Sequence, residues 1–141
     1  MENNEFDEYD EFVKGLSKKY PEMYRDVYCG ISIGKGWFQI VDELSGLIHS
    51  HYKWLSQQGK APGYPQVAQI KEKFGGLRFY IDAADDYTYG AISMAEQVAA
   101  RTCEVCGAPG TRRSGGWIRT LCDHHEEERQ AFYKRHAQDV E

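Results

Sequence analysis

The sequence lacks the long apolar segments that place a protein in a membrane. No window of it approaches the roughly 18 consecutive apolar residues that span a bilayer. The N-terminus is acidic and has neither the basic nor the apolar region of a secretory signal. These absences argue against a transmembrane helix and predict a cytoplasmic protein without a membrane partner.

Cysteine is scarce, with four residues among 141. Three of the four lie between Cys103 and Cys122, which is close clustering for so rare a residue. Because a cytoplasmic chain keeps its thiols reduced, clustered cysteines indicate metal ligands before disulfides. The isolated Cys29 is predicted to be a small buried hydrophobe.

Basic residues are fewer than acidic ones, and the formal net charge is −5. No global field therefore draws the chain to nucleic acid or to a membrane. The charge is unevenly placed: residues 1–11 carry six carboxylates and no base, whereas residues 101–121 contain four arginines and one glutamate. Aromatic residues reach 13%, with ten tyrosines, which suits a binding surface as well as a small core.

Three segments place apolar residues at the three- and four-residue spacings of amphipathic helices. They are residues 5–19, 37–58 and 85–101, the last capped by Asp85 or Asp86. Before the second helix runs the glycine-punctuated stretch "CGISIGKG". It is predicted to be a loop with a short extended piece, because it matches neither common phosphate-binding glycine motif. Phosphate binding at the helix start is a minor alternative.

Residues 66–82 predict a β-hairpin, with two alternating runs around a Gly75-Gly76 turn. This register pairs Phe74 with Leu77 and places Glu72 on the apolar face, where it needs a partner or an edge position. The predicted apolar face consists of Ile70, Phe74, Leu77, Phe79 and Ile81. Helix 37–58 is the expected cover, because a lone hairpin is marginal in water.

Two residue pairs have the spacing of metal ligands. Cys103 and Cys106 form C-x-x-C, and Cys122 and His125 form C-x-x-H. A short hairpin turning at residues 115–116 fits between them, and a helix follows. The C-x-x-C segment forms what we call the knuckle. The order of knuckle, hairpin and helix predicts a treble-clef-like module with one tetrahedral Zn²⁺ per chain. His124 is the alternative fourth ligand, although its C-x-H spacing is rarer.

The predicted zinc is structural. A catalytic zinc keeps one position open for water, whereas four protein ligands close the shell. A metal nuclease is the less favoured alternative, because residues 107–121 contain no Asp, Glu or His and only His124 could act as a base. We therefore expect a non-enzymatic protein whose metal supplies folding energy.

Two basic and aromatic surfaces are candidates for binding. Arginine or lysine beside an aromatic ring suits phosphates and bases, and equally a carboxylate-rich protein surface or plain solvent. A host protein is the favoured partner, and a nucleic acid or nucleotide is the alternative. The candidate residues are Lys71, Lys73, Arg78 and Tyr80 on the first hairpin, and Arg112, Arg113, Trp117 and Arg119 on the second.

The predicted fold class is α+β, with a β-hairpin packed against helices and a C-terminal zinc module. Residues 1–102 would form the helical and β-hairpin core, and residues 103–141 the zinc-binding module with its helix. The two parts are expected to pack as one compact unit. The oligomeric state stays open between a monomer and a homodimer.

The chain resembles a family of small, largely uncharacterised proteins of phages, prophages and bacteria. The resemblance spans residues 29–126 and rests on "GWFQIVDELSGLI", "QIKEKFGGLRFYI" and "TCEVCGAPG…GGWIRTLCDHH", in this order. It implies metal positions at Cys103, Cys106, Cys122 and His125, but no catalytic residue. It also implies a phage-type accessory protein that binds and inhibits a host component, including one of an antiviral defence system.

Overall fold

A computed structural model describes residues 3–25, 30–60 and 63–138. The class is α+β, as predicted, and the three predicted helices are confirmed to within a few residues. Cys29 and its predicted burial lie outside the described residues. In chain order the elements are α1 (Asn3–Lys19), β1 (Gly30–Ser32), a 3-10 turn (Lys35–Trp37), α2 (Phe38–Gln57), β2 (Gln66–Lys73), β3 (Gly76–Asp82), α3 (Asp86–Ala99), β4 (Thr111–Arg113), β5 (Arg119–Leu121) and α4 (Asp123–Gln138).

The larger sheet has three strands in the order β1-β2-β3. β2 and β3 form the predicted antiparallel hairpin, and β1 runs parallel to β2 with Ile31 opposite Ile70. α2 forms most of the connection from β1 to β2, which provides the long crossover that a parallel pair requires. None of the helices in the described ranges is both long and apolar enough to cross a bilayer.

The predicted turn of the first hairpin is wrong by one residue. Lys73 pairs with Gly76, so the two turn residues are Phe74 and Gly75, with φ angles of 53° and 79°. The Glu72 carboxylate accepts a hydrogen bond from the Gly75 amide at 2.7 Å, which gives this residue its partner and favours the observed turn. Between Ile70 and Ile81 the partners change by two positions, so these strand residues keep their predicted faces and only Phe74 leaves the apolar face. A register shift between Val67 and Gln69 interrupts the alternation at the start of β2.

The apolar face of the sheet and the apolar stripe of α2 are buried in one core cluster. Trp37, Val41 and Ile48 contribute from the start and middle of the second helical segment, and none is exposed to solvent. Ile70 and Leu77 contribute from β2 and β3. The predicted cover of the hairpin by this helix is therefore confirmed, and the opposite face of the sheet stays open.

α3 begins at an N-cap that also pairs with α2. The Asp85 carboxylate accepts hydrogen bonds from the Thr88 amide at 3.0 Å and forms a 2.6 Å contact with Nε2 of His51. Partial burial disfavours the charged carboxylate, but these hydrogen bonds outweigh it and lower the pKa of Asp85 to about 2. His51 therefore has a structural partner, as does His49, whose Nε2 lies 2.8 Å from the Glu22 carboxylate.

Candidate metal centre and cationic face

Four side chains near the start of the C-terminal part converge on one point. The ligand atoms of Cys103, Cys106, Cys122 and His125 all lie within 4.8 Å of one another. The Sγ atoms of Cys106 and Cys122 are 3.8 Å apart, and Nδ1 of His125 lies 3.1 Å from Sγ of Cys122. A tetrahedral ion with bonds of about 2.3 Å separates two sulfurs by about 3.8 Å. The cluster is thus compatible with a single metal ion.

His125, and not His124, faces the three sulfurs. Nδ1 of His125 is also 3.6 Å from Sγ of Cys103, whereas the exposed His124 contacts Glu128 one helical turn away, at 3.1 Å. His124, His125 and Glu128 make a second possible metal group that competes for His125. The favoured C-x-x-H spacing therefore agrees with the geometry.

The backbone around Cys103 favours its thiolate form. Burial raises the pKa of this thiol. Hydrogen bonds from the backbone amides of Cys122, Cys106 and Val105 have the larger, opposite effect, and the resulting pKa of Cys103 is about 6. The knuckle closes through the Gly107 amide, which donates to the Cys103 carbonyl at 2.9 Å, with Gly107 at a φ of 82°. Since the thiolate is the metal-binding form of cysteine, Cys103 is prepared for a cation. At Cys106 a hydrogen bond from the Ala108 amide lowers the pKa, but burial and the contacts with Cys103 and Cys122 raise it by more.

The glycine-punctuated loop before α2 packs directly on this knuckle. The Gly36 amide donates to the Glu104 carbonyl at 2.9 Å. A Cβ at Gly36 would lie 2.0 Å from the Cys103 carbonyl oxygen, and one at Gly34 would lie 2.2 Å from the Glu104 oxygen. The close approach of two backbones explains both glycines, so the phosphate-binding alternative is not needed here.

This contact predicts a strong effect of Gly36→Ala. We expect the free energy of unfolding to fall by about 3 kcal/mol, because the added methyl group meets rigid backbone. Gly90→Ala in α3 is the matched control, since a Cβ there has no neighbour within 4 Å and alanine favours a helix by up to about 1 kcal/mol. Urea unfolding of both variants measures the difference, and equal stabilities would contradict the close packing.

Two further contacts hold the metal knuckle in place, one to the core and one to its own hairpin. The fully buried Trp37 donates its Nε1–H to the Thr102 carbonyl at 2.9 Å, next to the first ligand. The buried Glu104 accepts from Nε of Arg119 at 2.7 Å. Sequence reasoning missed Glu104, although it is the single acid in a basic segment. The ligand site is therefore built on core contacts as well as on its own hairpin.

The arginines of the second hairpin have different environments. Arg119 is paired with Glu104 and lies over the Trp117 ring at 4.7 Å. Arg113 donates to the Asp123 carboxylate at 2.7 Å and to the Leu121 carbonyl. Arg112 has no carboxylate partner in the part of the chain that the structure describes. Of these three predicted binding arginines, only Arg112 therefore keeps an uncompensated charge.

The structure brings Arg112 next to the open face of the first hairpin. The Thr120 hydroxyl donates to the Gly75 carbonyl at 2.6 Å, which holds the two hairpins together. As a result Lys73, Arg78 and Arg112 line one cavity of about 240 Å³. Glu96 lines it as well, but its carboxylate accepts from the Phe79 amide and forms no ion pair with these cations among the described residues.

Lys71 extends the charge along the sheet, with its Nζ 5.6 Å from the centre of the Tyr80 ring. Among residues 3–25, 30–60 and 63–138, no carboxylate pairs with any of the four cations. We call this surface the cationic face; it consists of Lys71, Lys73, Arg78, Tyr80 and Arg112.

Phe74 stands beside the cationic face at the tip of the turn. It is 61% exposed, and its φ of 53° falls in the left-handed region, which is costly for a bulky residue. Nζ of Lys73 lies 5.9 Å from the centre of its ring. The predicted apolar face had included Phe74, and its exposure depends on the turn shift, which the local sequence does not reveal.

Comparisons with models of protein families, with curated proteins and with solved structures find no match to this chain.

Proposed function

We propose that this protein is a non-enzymatic, zinc-stabilised binding protein whose cationic face binds single-stranded nucleic acid. The observation that carries the proposal is the cationic face itself. Its four cations lack carboxylate partners among the described residues, in a chain whose net charge is −5. Clustered cations that are not paired with carboxylates raise the local positive potential, and such a surface attracts anionic ligands.

Zinc is the metal that fits the donor set best. Three thiolates and one imidazole are soft and borderline ligands, which favour Zn²⁺ over hard cations such as Mg²⁺. Four protein donors fill a tetrahedral shell and leave no site for a reacting water, which supports a structural role. The order of C-x-x-C knuckle, hairpin and helix supports a treble-clef-like module with one zinc per chain.

Single-stranded nucleic acid fits the two kinds of group on and beside the cationic face. Lysine and arginine neutralise backbone phosphates, while exposed aromatic rings stack on unpaired bases. Tyr80 lies on the open sheet and Phe74 at its turn, both partly exposed and each within 6 Å of a lysine Nζ. An aromatic ring held in an unfavourable backbone conformation at the surface has no evident packing role, which supports a ligand contact.

The test is a salt series with a fluorescently labelled single-stranded oligonucleotide, followed by anisotropy. Four phosphate contacts predict a slope of about −3 for log affinity against log salt. The same strand annealed to its complement should bind more weakly, because its bases are already stacked. No binding at low salt, or a flat salt response, would contradict nucleic-acid binding. Cleavage of the strand with magnesium present would contradict the non-enzymatic assignment.

Binding to a host protein is the second candidate, and a separate surface favours it. A groove of about 710 Å³ runs between α2 and α3 and is lined by Leu47, Met94 and Val98, all exposed. Met94 alone is 65% exposed. Contiguous apolar surface of this kind is typical of protein interfaces. A phage-type inhibitor of a host component, as the resemblance implies, would use it.

Two charge changes separate the candidates. Met94→Glu should abolish capture of a host protein and leave oligonucleotide binding unchanged. Lys71→Glu should weaken oligonucleotide binding and leave protein capture unchanged. Co-purification from a bacterial lysate and the anisotropy assay, applied to both variants, provide the comparison. Capture that is insensitive to Met94→Glu would eliminate the groove as the protein-binding site.

A further inference from the structure

The second half of α4 is largely exposed among the described residues, and its two aromatic rings are only partly covered by the second hairpin. Arg129 is the last buried residue of the helix, and its Nη1 donates to the Trp117 carbonyl at 2.6 Å. All residues from 130 to 137 are exposed. A helical segment of about two turns is marginal in water without packing. This half of α4 continues the packed first half of the same helix, and it leaves exposed surface that a partner can cover.

Three aromatic rings lie exposed around this segment. Phe132 is 48% exposed, Tyr133 41% and Trp117 57%. All three line a groove of about 540 Å³ between the second hairpin and α4. Large, half-exposed rings that share one groove beside an exposed helix end indicate an association surface.

Two charged residues beside the aromatic groove indicate which partner this surface can bind. Glu128 and Arg135 are seven residues apart, so they lie on the same flank of α4, next to Phe132. The Glu128 side chain is largely exposed, and Arg135 forms no ion pair within the described residues. In an antiparallel helix pair related by a two-fold axis, equivalent flanks meet. Glu128 then faces Arg135 of the other helix, and the two-fold axis forms this pair twice. A parallel pair would bring opposite flanks together and would not form it.

We propose that this surface binds a second copy of the chain, with the two α4 helices antiparallel and Phe132 near the two-fold axis. The proposal does not depend on nucleic-acid binding. Covered aromatic side chains bury about 150–250 Å² each, so the three half-exposed rings offer about 300 Å² per protomer. A standard interface buries about 800 Å² per partner. The homodimer is accordingly weak, and its population rises with protein concentration.

The test is sedimentation equilibrium of the full zinc-loaded chain over a range of concentrations. Glu128→Arg and Arg135→Glu should each weaken self-association by at least about tenfold, because each places two pairs of like charges in contact. An equimolar mixture of the two variants should associate again, since each introduced charge then meets its opposite. Recovery in the mixture is specific for the antiparallel pairing of these two residues.

Two controls keep the proposal falsifiable. Phe132→Ala should weaken the dimer without changing the thermal transition, because this ring is not part of the core. Glu127→Arg introduces the same charge change on the opposite side of α4 and should leave the dimer unchanged. A chain that stays monomeric at its highest soluble concentration would overturn the proposal. A mixture that stays monomeric, or a dimer that is insensitive to Glu128→Arg, would do the same.

Discussion

Cys106→Ser will release the metal and unfold the C-terminal part of the chain, from the knuckle through α4. Structural zinc sites contribute an apparent binding free energy of about 10 kcal/mol or more, which is comparable with the whole stability of a typical domain. The two short strands β4 and β5 have three residues each and could not remain folded on their own. Native mass spectrometry for zinc, together with hydrogen exchange along the chain, measures both losses.

His124→Ala is the matched control for this variant. His124 is adjacent to the ligand His125 but is exposed and points to Glu128. The control should retain one zinc per chain and the same melting temperature. A Cys106→Ser protein that keeps its metal and its exchange protection would show that the four side chains do not form the site. Zinc loss in His124→Ala, with His125 intact, would instead point to the second metal group.

Lys71→Glu combined with Arg78→Glu will abolish oligonucleotide binding while the protein stays folded. The two residues are direct partners across β2 and β3, on the face opposite the core. Two phosphate contacts become two repulsions, so we expect the affinity at low salt to fall by at least about 100-fold and the salt slope to flatten. Anisotropy measures the affinity, and circular dichroism verifies the fold.

Lys53→Glu combined with Lys60→Glu is the control with the same change in net charge. Both lysines are exposed and lie outside the cationic face. If the control loses as much affinity as the test variant, overall charge rather than the cationic face determines binding. If the test variant keeps its affinity, nucleic-acid binding at this surface is excluded.

The parts that local sequence determines were predictable. Amphipathic periodicity gave α1, α2 and α3, because it depends on neighbours within a few residues. Ligand spacing singled out the four side chains that the structure brings together, Cys103, Cys106, Cys122 and His125. The Asp85 side chain caps the N-terminus of α3, and Asp85 was one of the two predicted caps. These features need no knowledge of how distant segments meet.

Features that depend on contacts between distant segments were not predictable. The turn at Phe74-Gly75 is held by the nearby Glu72 and also by Thr120, which is 45 residues from Gly75. The approach of Arg112 to Lys73 follows from the docking of one hairpin on the other. The pairing of Arg119 with Glu104 follows from the packing of the second hairpin on the knuckle. The separate roles of Arg112, Arg113 and Arg119 therefore emerged only with the three-dimensional arrangement.

The docking of the glycine loop on the metal knuckle limits how this protein can be divided or recombined. Gly34 and Gly36 lie against the knuckle backbone with no room for a methyl group. Trp37 donates a hydrogen bond to the Thr102 carbonyl. A fragment starting at Cys103 would keep all four ligands but lose the surface on which its knuckle rests. The ligand motif is thus a poor candidate for transplantation into another scaffold. If the ligand motif were transferred to another protein, the loop with Gly34 and Gly36 and the side chain of Trp37 would have to be transferred with it.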